Sequence, residues 1–215
     1  MECVISPPNA LLLDKLFSVP VTVKLSVNME IIYYTSEELR KMTLKGSFFE
    51  HYDCKCVRVF SIPKTNFFMS QMRFLRLVLN ENVLILEFIF NNTKLIKYLD
   101  IIAANSIEIP SSSFYYDINI DFSLFTGTVD IFLRHDRVKV RERTNVWEKE
   151  AEAGLVNGCN LMVRIDSKTL KKINWYSKVM GKFSIGVGYE EPINLVFIGD
   201  GFIYSFFYAV FTQKL

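Results

Sequence analysis

Apolar residues recur at every second position through many short stretches of this chain, and at helical spacing through only a few. Period two marks a strand with one buried face, whereas a period near 3.6 marks a helix. Residues 55–62 read as a strand, and residues 74–79 and 83–90 as a hairpin turned by Asn80-Glu81-Asn82. Between them, residues 64–72 read as a short helix entered through Pro63, whose missing N–H does no harm at a first helical position. The same order returns in the second half. Leu161, Val163 and Ile165 alternate, and Asp166 or Ser167 can cap a helix running to about Met180. Phe183, Ile185 and Val187 then alternate, Glu190-Glu191-Pro192 turns the chain, and residues 193–198 return. Two copies spaced so widely predict two similar domains rather than a solenoid of short repeats.

The rest of the pattern fits that frame. Residues 7–17 read as a helix, and residues 21–27 and 30–34 as a hairpin around Asn28. Residues 105–113, with Pro110 and three serines, read as a linker. The expected division is a first domain over 1–104, a connecting segment over 105–117 and a second domain over 118–215. In the second domain Ile118, Ile120 and Phe122 alternate, and residues 128–133 and 138–143 form a hairpin through His135-Asp136. The charged residues 141–152 read as a solvated loop or strand end. The fold class expected is α+β, two similar domains, each an antiparallel sheet backed by short helices.

Composition agrees: 50% of the 215 residues are hydrophobic and 22% charged, and 19 Phe with 10 Tyr favour half-buried pleated surfaces. The longest apolar runs fall well short of the ~20 residues that span a bilayer as a helix, and no basic leader precedes Leu11, so neither a membrane partner nor secretion is expected. Four cysteines at irregular spacing suit a reducing compartment. His51, Cys54 and Cys56 lack a second pair to complete a tetrahedral metal set. Gly-rich phosphate loops and metal motifs are missing from the sequence, and the spacing of Asp121, Asp130 and Asp166 demands no shared site; no enzyme, catalytic residue, metal or cofactor is expected.

A net charge of +2 decides nothing by itself. Its placement is more informative, because Lys168, Lys171, Lys172 and Lys178 share one broad face of the second-half helix while Leu170, Ile173, Ser177 and Met180 share another. A lysine neutralises phosphate as a mobile point charge, without the fork with which arginine reads guanine. Such a face is either a sequence-independent DNA contact or the solvated side of a packed helix.

Residues 159–211, CNLMVRIDSKTLKKINWYSKVMGKFSIGVGYEEPINLVFIGDGFIYSFFYAVF, resemble the closing order of the proliferating cell nuclear antigen superfamily of sliding clamps: strand, lysine-bearing helix, strand, turn, a strand opening on Pro192, and a final strand. Within that superfamily, Ser47-Phe48-Phe49-Glu50-His51-Tyr52 and Asp200-Gly201-Phe202 are similar to segments of the "nine" subunit of the nine-one-one checkpoint clamp. That resemblance implies a non-enzymatic subunit of a heterotrimeric ring, nuclear, which encircles double-stranded DNA without reading sequence. Its partners would be two other clamp-like subunits, a clamp loader, and repair or signalling proteins. A homotrimeric replicative clamp is the alternative, and a strand-rich enzyme or small-ligand binder a further one. The resemblance implies DNA-facing roles for Lys168, Lys171, Lys172 and Lys178, with Lys64 and Lys15 on the other two expected helices. It implies partner-peptide contacts at Ile107, Ile109, Pro110, Phe211 and Thr212, and ring joints at residues 141–143 or 74–79.

Overall fold

Alternating apolar positions become antiparallel strands throughout the computed structural model, which describes all residues except 18, 37, 56, 111, 113, 147, 155–159, 182, 189, 190, 209–211 and 215, and leaves out the side chains of 208 and 212–214. The chain divides into two units: Met1–Glu108 with Asp200–Tyr204, and Ile109–Gly199 with Ser205–Leu215.

The first unit contains β1 (Glu2–Ile5), α1 (Pro7–Phe17), β2 (Val21–Leu25), β3 (Met29–Tyr34), β4 (Glu38–Leu44), β5 (His51–Asp53), β6 (Arg58–Ile62), β7 (Phe74–Asn80), β8 (Val83–Ile89), β9 (Lys94–Asp100) and β10 (Ile102–Ala103). One sheet runs β5-β1-β7-β8-β9; another runs β10-β6-β2-β3-β4, and the start of a later strand, within Asp200–Tyr204, lies next to β4. Register puts Leu75 opposite Phe88 and Leu77 opposite Leu86, all four buried. α1 adds Ala10, Leu13, Leu16 and Phe17 to this core, one helical stripe. Leu13, Leu16 and Phe17 each contribute about 1.5–3 kcal/mol on burial. Arg40 donates to the Leu16 carbonyl (3.1 Å), satisfying an end of α1 that the helix cannot satisfy itself.

The second unit contains β11 (Phe114–Asp117), β12 (Val129–Leu133), β13 (Arg137–Arg143), β14 (Glu148–Gly154), β15 (Leu161–Ile165), α2 (Ser167–Met180), β16 (Phe183–Val187), β17 (Ile193–Gly199), the part of β18 (Phe202–Tyr208) from Ser205 onward, and β19 (Thr212–Lys214). Its sheets run β14-β13-β12-β15-β19 and β18-β17-β16-β11. Laid beside the first unit's β4-β3-β2-β6-β10 and β9-β8-β7-β1, the strand orders coincide position for position. β5 is an addition peculiar to the first unit.

The two units differ in their helices. Where the first has α1 between its opening strands, the second has only the 3-10 turn Phe122–Leu124; where the second has α2, the first has the loop between β6 and β7. That loop corrects the helix expected over 64–72. Thr65 and Phe67 are both buried, a period of two that suits an extended chain. The Phe67 N–H donates to Asp14 of α1 (2.8 Å) and Lys97 donates to the Thr65 hydroxyl (2.8 Å). Gln71 takes φ +65 as the loop turns into β7.

Other corrections follow from pairing. Residues 148–152, read within a solvated loop or strand end over 141–152, belong to strand β14, held to β13 by ion pairs that include Arg141–Glu150 at 2.8 Å and Arg143–Glu148 at 2.8 Å. Residues 118–121 have no regular structure; the strand preceding them, β11, lies inside the expected connecting segment. The strand expected from residue 55 begins at Arg58, and β4 was missing from the sequence reading altogether. The strands assigned to ring joints, β7 and β13, are flanked on both sides within their sheets and have no edge to offer; among the described residues those two sheets end on β5 and β9 and on β14 and β19.

Candidate functional site

α2 is built to present one face. Asp166 caps it, accepting from the Thr169 N–H at 2.7 Å, and Gly181, at φ +87, ends it by donating to the Ser177 carbonyl at 2.9 Å. Thr169, Leu170, Ile173 and Tyr176 are buried, fixing the rotation of the helix, and Lys168, Lys171, Trp175, Lys178 and Val179 are exposed. Lys172 is only partly exposed: its ammonium lies over the Phe206 ring, 5.3 Å from the centroid, so part of its charge is spent within the unit. The exposed arc is thus basic, with Trp175 near its centre, a residue the sequence reading passed over.

Beside the carboxyl-terminal half of α2 lies a cleft of 390 Å³, lined by Ile118, Asn119, Asp121, Phe122, Asn174, Ser177, Lys178 and Phe183 among others. It faces the 3-10 turn that stands where the first unit has a full helix. Hydrogen bonds from the Ser123 side chain and backbone hold the Asp121 carboxyl below the usual range, with a smaller contribution from Lys178. Lys178 therefore has an anion nearby, unlike Lys168 and Lys171, for which no ion pair is found among the described residues.

Of the remaining lysines, Lys15 is exposed on α1, and Lys64 is exposed in the loop rather than on a helix. Ile107 and Ile109 are half-buried and Pro110 is exposed. Phe211 lies outside the described residues, while Thr212 opens β19 opposite Val163. The two segments similar to the checkpoint subunit meet each other: Phe48 and Phe202 pack edge to face at 6.2 Å, and Gly201, at φ +75, accepts from the Lys45 N–H at 2.8 Å. A β-carbon on Gly201 would stand 2.7 Å from the Phe48 Cα, so only glycine fits there.

Nothing among the described residues gathers three or more His, Cys, Asp or Glu side chains as a metal would need. His51 is exposed on β5 and His135 on the β12–β13 turn. Burial pushes the Cys3 thiol up to about 12, which leaves it unreactive. No helix among the described residues is long and apolar enough to cross a membrane.

No protein-family model and no curated protein matches the sequence. Among solved structures, the crystal structure of the proliferating cellular nuclear antigen of Entamoeba histolytica superposes with a TM-score of 0.71 at 13% identity, over 98% of this chain and 98% of that one. The PCNA2-PCNA3 complex of Sulfolobus tokodaii gives a TM-score of 0.72 at 13% identity, over 98% of this chain and 99% of that one. The chain therefore has the fold of the proliferating cell nuclear antigens across nearly its whole length, an α+β fold of two similar domains.

Proposed function

We propose that this chain is a subunit of a ring-shaped DNA sliding clamp, closed by pairing β9 of one subunit with β14 of the next and lined by α1 and α2. The observation that carries this reading is the duplicated strand order, in which β9 and β14 each end a sheet among the described residues. β14 holds in its sheet the place that β4 holds in the other unit, and β9 holds the place of β18. Both ends are seven residues long. β9 leaves Leu95 48% and Tyr98 66% exposed. A long apolar edge of this kind invites strand pairing unless it is covered.

Head-to-tail contacts that close a rotation make rings, and a ring around DNA needs an inner surface that attracts phosphate without gripping bases. Lys168, Lys171 and Lys178 supply mobile positive charge of that kind, Lys15 and Lys64 extend it, and binding should weaken steeply with salt. The expected partners are double-stranded DNA, neighbouring clamp-like subunits, a loader, and repair or signalling proteins reaching Ile107, Ile109, Pro110, Phe211 or Thr212; the expected place is the nucleus.

A heterotrimeric checkpoint ring is supported by the two segments around Phe48 and Gly201. A ring of identical subunits is supported by the edges. β9 carries two lysines and one aspartate and β14 three glutamates and one lysine, so their net charges are +1 and −2.

Weighing the chain in solution, alone and as co-purified from its cell, tests the joint. A closed assembly is expected in at least one preparation, lost when Leu95→Glu and Tyr98→Glu are combined. Assembly of the chain alone selects identical subunits; assembly only with two clamp-like companions selects the heterotrimer. A monomer in both preparations overturns the ring.

A further inference from the structure

The exposed arc of α2 contains one residue that tracking a duplex does not require. Trp175 is 41% exposed at the centre of that arc, with Lys168 and Lys171 on the turns before it and Lys178 and Val179 on the turn after. Its indole meets the buried Tyr176 ring edge to face at 5.2 Å. In a duplex the bases are stacked on each other and present only their edges and the phosphates. An unpaired base presents a π-face, and cationic grooves bearing aromatic side chains bind single strands through that face.

We propose that the α2 face is a single-strand DNA contact, in which Trp175 stacks on an unpaired base while Lys168, Lys171 and Lys178 neutralise the flanking phosphates. This rests on the reading that α2 faces DNA, and it adds a state of the DNA: a strand that is unpaired where it passes this helix. The charge of the arc selects an anionic polymer over a neutral peptide, and the aromatic ring selects unpaired bases over a duplex. The bulk of Val179, one helical turn beyond, widens the apolar platform without adding a hydrogen-bonding group that would choose among bases. Contact of this kind is tolerant of sequence.

The test uses the full chain with Trp147→Phe, so that Trp175 is the remaining tryptophan, titrated with oligothymidylate and with a blunt duplex at one low salt concentration. Oligothymidylate should quench the Trp175 emission and the duplex should not. Trp175→Ala should weaken oligothymidylate binding roughly tenfold and duplex binding by much less, with Trp175→Phe giving an intermediate loss for oligothymidylate. Combined replacement of Lys168, Lys171 and Lys178 by Ala should weaken both ligands and flatten their salt dependence. Duplex binding together with an unchanged oligothymidylate affinity in Trp175→Ala overturns the single-strand contact alone, and is the result a protein-docking patch would give. Binding of neither nucleic acid by the folded chain overturns both this proposal and the DNA-facing role of α2.

Discussion

Glu142 shows how single residues depart from the pattern that surrounds them. It is 1% exposed and lies on the core face of β13, at a position where alternation calls for an apolar side chain. Its carboxyl group accepts from the Thr126 N–H at 3.3 Å, the Thr126 hydroxyl at 3.4 Å and the Gly127 N–H, fastening the chain between the 3-10 turn and β12. Removing it takes the acceptor away from two backbone donors. Glu142→Ala should therefore cost about 2–4 kcal/mol in denaturant unfolding, because a hydrogen bond to a charged group contributes about 1.5–3 kcal/mol; a loss under half of the lower figure would show that the loop finds other partners. Sequence reading located Lys168, Lys171 and Lys178 correctly on an exposed face because helical spacing alone sets it. It could not foresee that Lys172 bends over Phe206, since that contact joins residues far apart in the chain. Trp175 was visible in the sequence, but its exposure was not.

At the scale of elements, both long helices, the hairpins and the lysine face follow from periodicity, and errors cluster where long-range contacts override it. The loop between β6 and β7 is the clearest case. Pro63 and a run without alternating apolar positions suggest a helix start, yet Asp14 and Lys97, from distant elements, hold the segment extended. If Phe67 is what seats that loop, Phe67→Ala should destabilise the protein by about 3–5 kcal/mol in thermal or denaturant unfolding, whereas Lys64→Ala should leave stability within about 0.5 kcal/mol. Equal effects would mean the loop is not anchored as described. β14 was missed for a related reason: its alternating glutamates look like a solvated run until β13 supplies arginines in register.

For the molecule as a whole, the duplication was legible in outline and not in mechanism. A repeated strand, helix and hairpin pointed to two similar units, although in the first copy the helix turned out to be a loop. The deeper likeness is in the strand orders, which no local pattern reveals because hydrogen-bonded neighbours such as β2 and β6 lie far apart in sequence. Strand order also exposes β9 and β14 as terminal strands, where local reading had chosen the interior β7 and β13. The function proposed for the chain is topological, DNA being held because it is enclosed. The most direct measurement loads the protein onto nicked circular DNA in an extract that supplies a loader and any companion subunits, isolates the complex at high salt, and cuts the circle once. The protein should survive high salt on the closed circle and leave when the DNA becomes linear. Release by salt from the intact circle, or retention after the cut, would contradict enclosure.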